Sequence, residues 1–174
     1  MKVLETERLV LRWFAASDAG FILELLNEPG WKRFIGDRHI DTLDAAGAYL
    51  SSGPLASYTE NGFGLYAVQQ KANNELVGMC GLIKRQGLDD VDIGFALLAR
   101  YEGQGFAVEA AAATLAFARA TLALTRIVAI TTVDNDRSAR VLEHIGMQYE
   151  RDVVMPGEDQ PLRLFSVNFD LAQD

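Results

Sequence analysis

Asp92-Ile-Gly-Phe-Ala-Leu-Leu-Ala-Arg-Tyr-Glu-Gly-Gln-Gly-Phe-Ala-Val-Glu-Ala110 is the stretch on which the reading of this chain turns. Its first part, within a strand placed at roughly 90–98, is apolar and extended in character. From residue 106 to 121 there is no glycine or proline and alanine dominates, which predicts a long helix with Phe106, Ala110, Ala113 and Phe117 along one face. Gly103 and Gly105 fall at the passage between the two. The leading N–H groups of a helix lack intrahelical partners there, and they point outward with the positive end of the helix dipole. Such a turn can cradle a pyrophosphate, although glycine serves strand-to-helix turns for steric reasons about as often. No Gly-Lys-Ser/Thr follows, so a P-loop fails. The glycines do not make G-x-G-x-x-G and the preceding strands look antiparallel, so a dinucleotide fingerprint fails too.

Working outward, residues 7–13 alternate as a half-buried strand. Ser17 is the N-cap candidate of a helix carrying Phe21, Ile22, Leu25 and Leu26, which Pro29-Gly30 stops. A second short helix holds Trp31, Phe34 and Ile35. A third begins near Thr42 and ends at Ser52-Gly53-Pro54, read as a stop followed by a loop. Antiparallel strands near 62–70 and 75–86 are joined at Ala72-Asn73-Asn74. Beyond the long helix, 126–133 is β-branched and nearly all apolar, a strand covered on both faces. A short helix at 136–144, ended by Gly146, precedes strands near 147–155 and 162–171.

The 174 residues fit one domain, 1–174, able to bury roughly 70% of its extended surface. An apolar fraction of 49% with 23% charged residues excludes disorder and fibrous repeats. No apolar window reaches the ~18 residues of a membrane span, and the opening residues lack the pattern of a signal peptide, so a cytoplasmic location is expected. The lone Cys80 supplies neither an intramolecular disulfide nor a cysteine cluster, and no metal site is expected. A net charge of −8 argues against nucleic acid and mildly favours cationic partners, while leaving room for a local basic patch.

A second constellation, Asn135-Asp-Arg-Ser138-Ala-Arg-Val-Leu-Glu-His-Ile-Gly146-Met147, directly follows the buried strand. Together the two constellations resemble the GNAT superfamily of N-acetyltransferases, in which a loop of pattern [Gln/Arg]-x-x-Gly-x-[Gly/Ala] holds the acetyl-CoA pyrophosphate. Here that loop is Glu102-Gly103-Gln104-Gly105-Phe106-Ala107. The opening Glu-Thr-Glu-Arg-Leu-Val-Leu-Arg (5–12) and the core Gly-Gln-Gly-Phe-Ala-Val-Glu-Ala (103–110) further resemble the branch that includes ribosomal-protein N-terminal (Rim-type) acetyltransferases. The resemblance runs from about Glu5 to Leu171 and implies an α/β (α+β) fold, a mixed, mostly antiparallel sheet of about seven strands flanked by helices. Two positions depart from it. Glu102 replaces the preferred Gln or Arg, and Leu142 stands where many members place a tyrosine that protonates the departing thiolate.

Acyl transfer from a thioester to an amine needs a neutral amine, a polarised carbonyl and a proton for sulfur. An alkylamine has a pKa of about 10, so its proton must leave before attack. Asp92 is the candidate base, with Asp90 on the same strand face by the period-two rule; the competing reading makes both solvated acids beside a turn. The resemblance implies that backbone groups of Leu97 and Leu98 hold the pantetheine arm and polarise the carbonyl. It also implies that Gly103, Gln104, Gly105, Phe106 and Ala107 hold the phosphates, that Asn135 bonds the pantetheine and that Ser138 donates to the sulfur. An N-cap role for Asn135 is compatible with this. His144 reads as a residue of the last helical turn, Cys80 as a packed small hydrophobe, and His39 as a groove candidate.

The expected activity is transfer from acetyl-CoA to a primary amine, on a small molecule or a protein N-terminus, by direct attack. A homodimer is a candidate assembly. Two other classes remain open at this level: a non-catalytic acyl-CoA-binding or regulatory domain, which Leu142 keeps open, and an interaction module using an exposed sheet edge. An acidic protein suits a cationic amine or a basic N-terminus.

Overall fold

A computed structural model of the chain describes residues 1–170, so Leu171, the last residue of the expected final strand, lies outside the described residues. Eight strands form one sheet in the order β1-β2-β3-β4-β5-β6-β8-β7. They are β1 (Lys2–Glu5), β2 (Leu9–Arg12), β3 (Leu65–Gln70), β4 (Leu76–Ile83), β5 (Asp92–Leu97), β6 (Arg126–Thr132), β7 (Gln148–Val153) and β8 (Leu162–Asn168). The β5–β6 pair alone is parallel. The mixed, mostly antiparallel sheet expected from the sequence is present, with one strand more than the seven. The extra strand arises because Thr6 N–H donates to Leu9 O at 2.8 Å, turning the chain so that β1 folds back on β2.

Successive residues of the central strands enter opposite sides of the sheet, as the period of two requires. Tyr66, Val68 and Cys80 join a core under α5 (Phe106–Ala120) and α6 (Asp136–His144). Ala67 and Met79 join a second core with residues of α1 (Ala19–Leu26), α2 (Pro29–Phe34) and α3 (Leu43–Leu50). On α5 the fully buried stripe is Phe106, Ala110, Ala111, Thr114, Leu115 and Ala118, while Ala113 and Phe117 are half-buried. Thr114 explains part of that rotation, since its hydroxyl donates to Ala110 O at 2.8 Å and lies 3.4 Å from the Cys80 sulfur.

Three local expectations change. Ser17 makes no capping bond; the neighbouring Asp18 takes the Ala15 N–H at 2.8 Å. Pro29 does not stop α1 but opens α2 as its first residue, a position where its missing N–H costs nothing. Ser52-Gly53-Pro54 is not a loop. The chain widens into a π turn over Ser51–Leu55, which accommodates Pro54 inside the helix, and continues as α4 (Ala56–Asn61) until Gly62 at φ +78°. Tyr58 of α4 pins this bent arm to the sheet. Its ring stacks on Trp13 and Tyr66 with centroids 4.7 and 5.6 Å apart, and its hydroxyl accepts from Phe14 N and donates to Leu65 O.

Asp18, only 9% exposed, receives both Nη atoms of Arg12 at 2.9 and 3.0 Å. Burial pushes its carboxyl up, but the Arg12 fork and the Ala15 N–H outweigh burial and hold it below 3.8. A depressed carboxyl stabilises the fold above its unfolded value and loses that contribution as pH falls through the folded one. Asp18→Asn is therefore expected to lower unfolding free energy by about 2 kcal/mol at pH 7. Denaturant titration checks this, and the gap to the parent should narrow as the pH is taken below 3.8.

Candidate active site

The parallel pair β5–β6 is joined where Val128 N–H meets Val91 O at 3.0 Å, with Asp92 opposite Val128. Beyond that point β5 stays in register with β4 as far as Leu97, and β6 stays with β8 along its whole length. The facing edges of β5 and β6 therefore part. A groove of about 1280 Å³ opens there, running from Lys84, Arg85 and Asp92 past Phe95 and Leu97 to the loop at Gly103. Parity decides which amides face it. Val91 O points to β6, so the odd-numbered residues Phe95 and Leu97 turn their N–H and C=O the same way. Leu98 does not. Its N–H donates to Val77 O at 2.9 Å, its carbonyl accepts from Tyr101 N–H at 2.9 Å, and its side chain is buried in the core. Of the two leucines expected to hold a pantetheine arm, Leu97 alone has its backbone toward the groove, and Phe95 joins it by the same alternation.

At the far end, Gly103 and Gly105 have φ of +77° and +83°, a region costly for side chains with a Cβ. A Cβ on Gly103 would meet nothing within 4 Å, so that glycine faces open space. Gly105 is the N-cap of α5, and the first intrahelical bond is Glu109 N–H to Gly105 O at 3.1 Å. Among the described residues the amides of Phe106, Ala107 and Val108 are then without hydrogen-bond partners, and these residues line the groove. This set of outward N–H groups fits a pyrophosphate. Gln104 does not line the groove; Arg8 Nη1 holds its carbonyl at 2.9 Å from behind. The Phe106 ring is buried with the Arg8 guanidinium 4.4 Å above it, so this residue offers only its amide. Arg8 is itself fixed by Glu109, which accepts from Arg8 Nε at 2.8 Å, Arg8 N at 3.1 Å and Thr6 Oγ1. Glu102 pairs with Arg137 of α6 across the mouth of the groove.

On the other wall, Asn135 is the N-cap of α6 and accepts from Ser138 N–H at 3.2 Å. Both line the groove, and Ser138 is half-buried. Leu142 is a core residue. His144 is exposed in the last turn of α6, and Cys80 is a packed thiol that burial pushes up to about 12. His39 stands exposed at φ +55° beside Asp37 and does not line the groove.

Asp92 is 1% exposed, so it is not a solvated turn residue. Burial pushes its carboxyl up to about 6, against the opposing charge and hydrogen bonds of Arg85, whose Nε reaches both oxygens at 3.2 and 3.1 Å. Asp90 does not share its site. It precedes β5 and is drawn to Arg126 Nε at 3.0 Å. Sequence reasoning missed Arg85, Arg8 and the Phe95 amide. Only Phe95 carried a signal, namely its parity with Leu97.

The acetyltransferase (GNAT) domain model matches residues 8–148. An uncharacterized N-acetyltransferase of Bacillus subtilis, YoaA, is 27% identical over 149 residues, 85% of this chain and 84% of its own. Among solved structures, an acetyltransferase (GNAT family) from Bacillus anthracis is 25% identical with a TM-score of 0.79, covering 97% of this chain and 98% of that one. A ribosomal L7/L12 alpha-N-protein acetyltransferase in complex with coenzyme A shares the fold, at a TM-score of 0.83 over 98% of this chain and 99% of that one, with 15% identity. With the parted strands, the glycine loop and the family match in agreement, the chain belongs to the GNAT acetyltransferases, whose acyl donor is acetyl-CoA.

Proposed function

We propose that this chain transfers the acetyl group of acetyl-CoA to a primary amine by direct attack on the thioester, with Asp92 as base and Ser138 as proton donor to sulfur. The observation that carries the reading is one strand: β5 has a buried carboxylate at its start, outward amides along its open edge, and the glycine loop just past its end. The amides of Phe106, Ala107 and Val108 would receive the pyrophosphate. Leu97 and Phe95 N–H groups would pair with the pantetheine arm and the thioester carbonyl; a single preorganised donor to a developing oxyanion is worth about 3 kcal/mol. Asn135 caps α6 through Oδ1, leaving its amide nitrogen for the same arm.

An amine of pKa about 10 arrives protonated at neutral pH. Asp92, at about 6, is ionised there and is a stronger base than an ordinary carboxylate, so it takes the proton directly or through a water. The neutral nitrogen attacks the carbonyl carbon, the C–S bond breaks, the second proton leaves the new amide nitrogen to solvent, and the thiolate takes a proton from Ser138, which is replenished from solvent. Leu142 contributes no proton. The Rim-type branch and a protein N-terminus as acceptor belong to this proposal through motif resemblance alone.

Thiol release should be measured with N-terminal peptides, polyamines, aminoglycosides and amino acids. Asp92→Asn is expected to lower kcat/KM most near pH 7 and least above pH 9, where free amine is already abundant, with the gap also narrowing below pH 6 as the parent's own Asp92 protonates. Parallel profiles would remove Asp92 from the chemistry. Ser138→Ala should cost about 10-fold in turnover with little change in acetyl-CoA affinity; an unchanged rate would assign the proton to water.

For the donor site, Gly105→Val should weaken acetyl-CoA by about 10-fold or more in isothermal titration. The φ of +83° disfavours a β-branched residue, and the added side chain meets Arg8 Nη2, 3.4 Å from the position of a Cβ. Circular dichroism separates this local effect from loss of the fold, and unchanged affinity would sink the site.

A further inference from the structure

We infer that the acceptor is a small amine carrying an oxyanion, a carboxylate or a phosphate, within a few bonds of its nitrogen, held by Arg38 and Arg85 beside Asp92. The inference rests on the acetyltransferase reading above and deepens it.

The end of the groove where β4 finishes and β5 begins is basic, against the charge of the whole molecule. Arg38, Lys84 and Arg85 line it, with Asp92 and Glu60 as the carboxylates, three cations to two anions. Arg85 uses only Nε on Asp92, and among the described residues its two Nη atoms make no hydrogen bond. That leaves the outer edge of a planar fork pointing away from Asp92, the geometry that receives a carboxylate or phosphate. Arg38 has no carboxylate partner among the described residues and lies with Cζ 5.7 Å from the centre of the Tyr49 ring. Tyr49 stands between the two arginines in charge terms, since burial pushes its hydroxyl up while the fields of both Arg38 and Arg85 pull against that. Its hydroxyl makes no hydrogen bond to the described residues and lines the same groove as both guanidinium groups.

The phosphates of acetyl-CoA do not account for these cations. Their loop lies past the opposite end of β5, and the five steps from Asp92 to Leu97 alone span about 17 Å. Nor are the cations used up internally: Arg33 and Arg137 have partners in Asp134 and Glu102 and Arg85 spends only Nε on Asp92, whereas Arg38 and Lys84 have no carboxylate partner among the described residues. An oxyanion at this point would fix the acceptor by one end and leave its amine a short reach from Asp92. A purely cationic amine would meet two guanidinium groups there.

Four amines of similar size separate the cases: β-alanine, O-phosphoethanolamine, ethanolamine and 1,3-diaminopropane. Isothermal titration into the CoA-loaded protein should show both anionic amines binding at least 10-fold more tightly than the other two, and their order distinguishes carboxylate from phosphate. Arg38→Gln should reduce that preference at least 5-fold, with Arg38→Lys recovering part of it; Arg38 is exposed, so its replacement leaves the core untouched. Equal affinities, or preference for ethanolamine or the diamine, would overturn the inference. Thiol release with the same amines keeps the two readings apart. Turnover confined to ethanolamine or the diamine rejects the oxyanion site and leaves the acetyltransferase standing. Tight binding of the anions with no turnover of any amine, peptides included, rejects the catalytic reading itself.

Discussion

The constraint on which the rest of the molecule depends is that β5 bonds fully on one side and hardly at all on the other. Antiparallel pairing with β4 fixes its position, closely enough that a Cβ on Gly78 would sit 2.2 Å from Ala96 O. Parallel pairing with β6 stops after one register point. Backbone donors and acceptors of Phe95 and Leu97 are thus left facing a groove, and such groups must bond water or a guest. An extended chain bearing amides, as pantetheine does, has the groups such an interrupted edge leaves unpaired. Both cores stay packed above and below the opening, so the gap is held open without loosening the fold.

How much of this was legible in the sequence follows from the range of the interactions involved. The turn at Gly103 and Gly105, α5 and the Asn135 cap are set largely by neighbours within a few residues, and composition and periodicity register such effects; Cys80 was legible from the apolar run of β4 around it. Pro54 misled because a π turn absorbs a proline that an α-turn would reject. Asp90 and Asp92 have the same sequence spacing as any strand-face pair, yet Arg126 and Arg85 draw them to different sites. Those arginines sit 36 and 7 residues away, and no local pattern couples them. The distinction between Leu97 and Leu98 lies in strand parity relative to β4, which needs the register and not the residue type.

Net charge and local charge act on different length scales. A total of −8 governs encounter at long range, where ions screen it within about 10 Å at ordinary salt. Inside the groove, the few groups within hydrogen-bond reach decide what can settle there. An acidic exterior around a groove end lined by Arg38, Lys84 and Arg85 is consistent once the two length scales are separated.

Arg8 and Glu109 join parts of the chain 101 residues apart, and the pair stands directly behind the glycine loop. The loop is thereby backed by the start of the chain as well as by its own neighbours. During synthesis, the turn bearing Thr6 and Arg8 is made about a hundred residues before the helix that receives it, and closing so long a segment is slow compared with forming α5 itself. α5 can form before the contacts behind its first turn are made. The Arg8–Glu109 brace behind the loop is complete only when β2 has met α5, so this turn draws on the first and the middle parts of the chain at once.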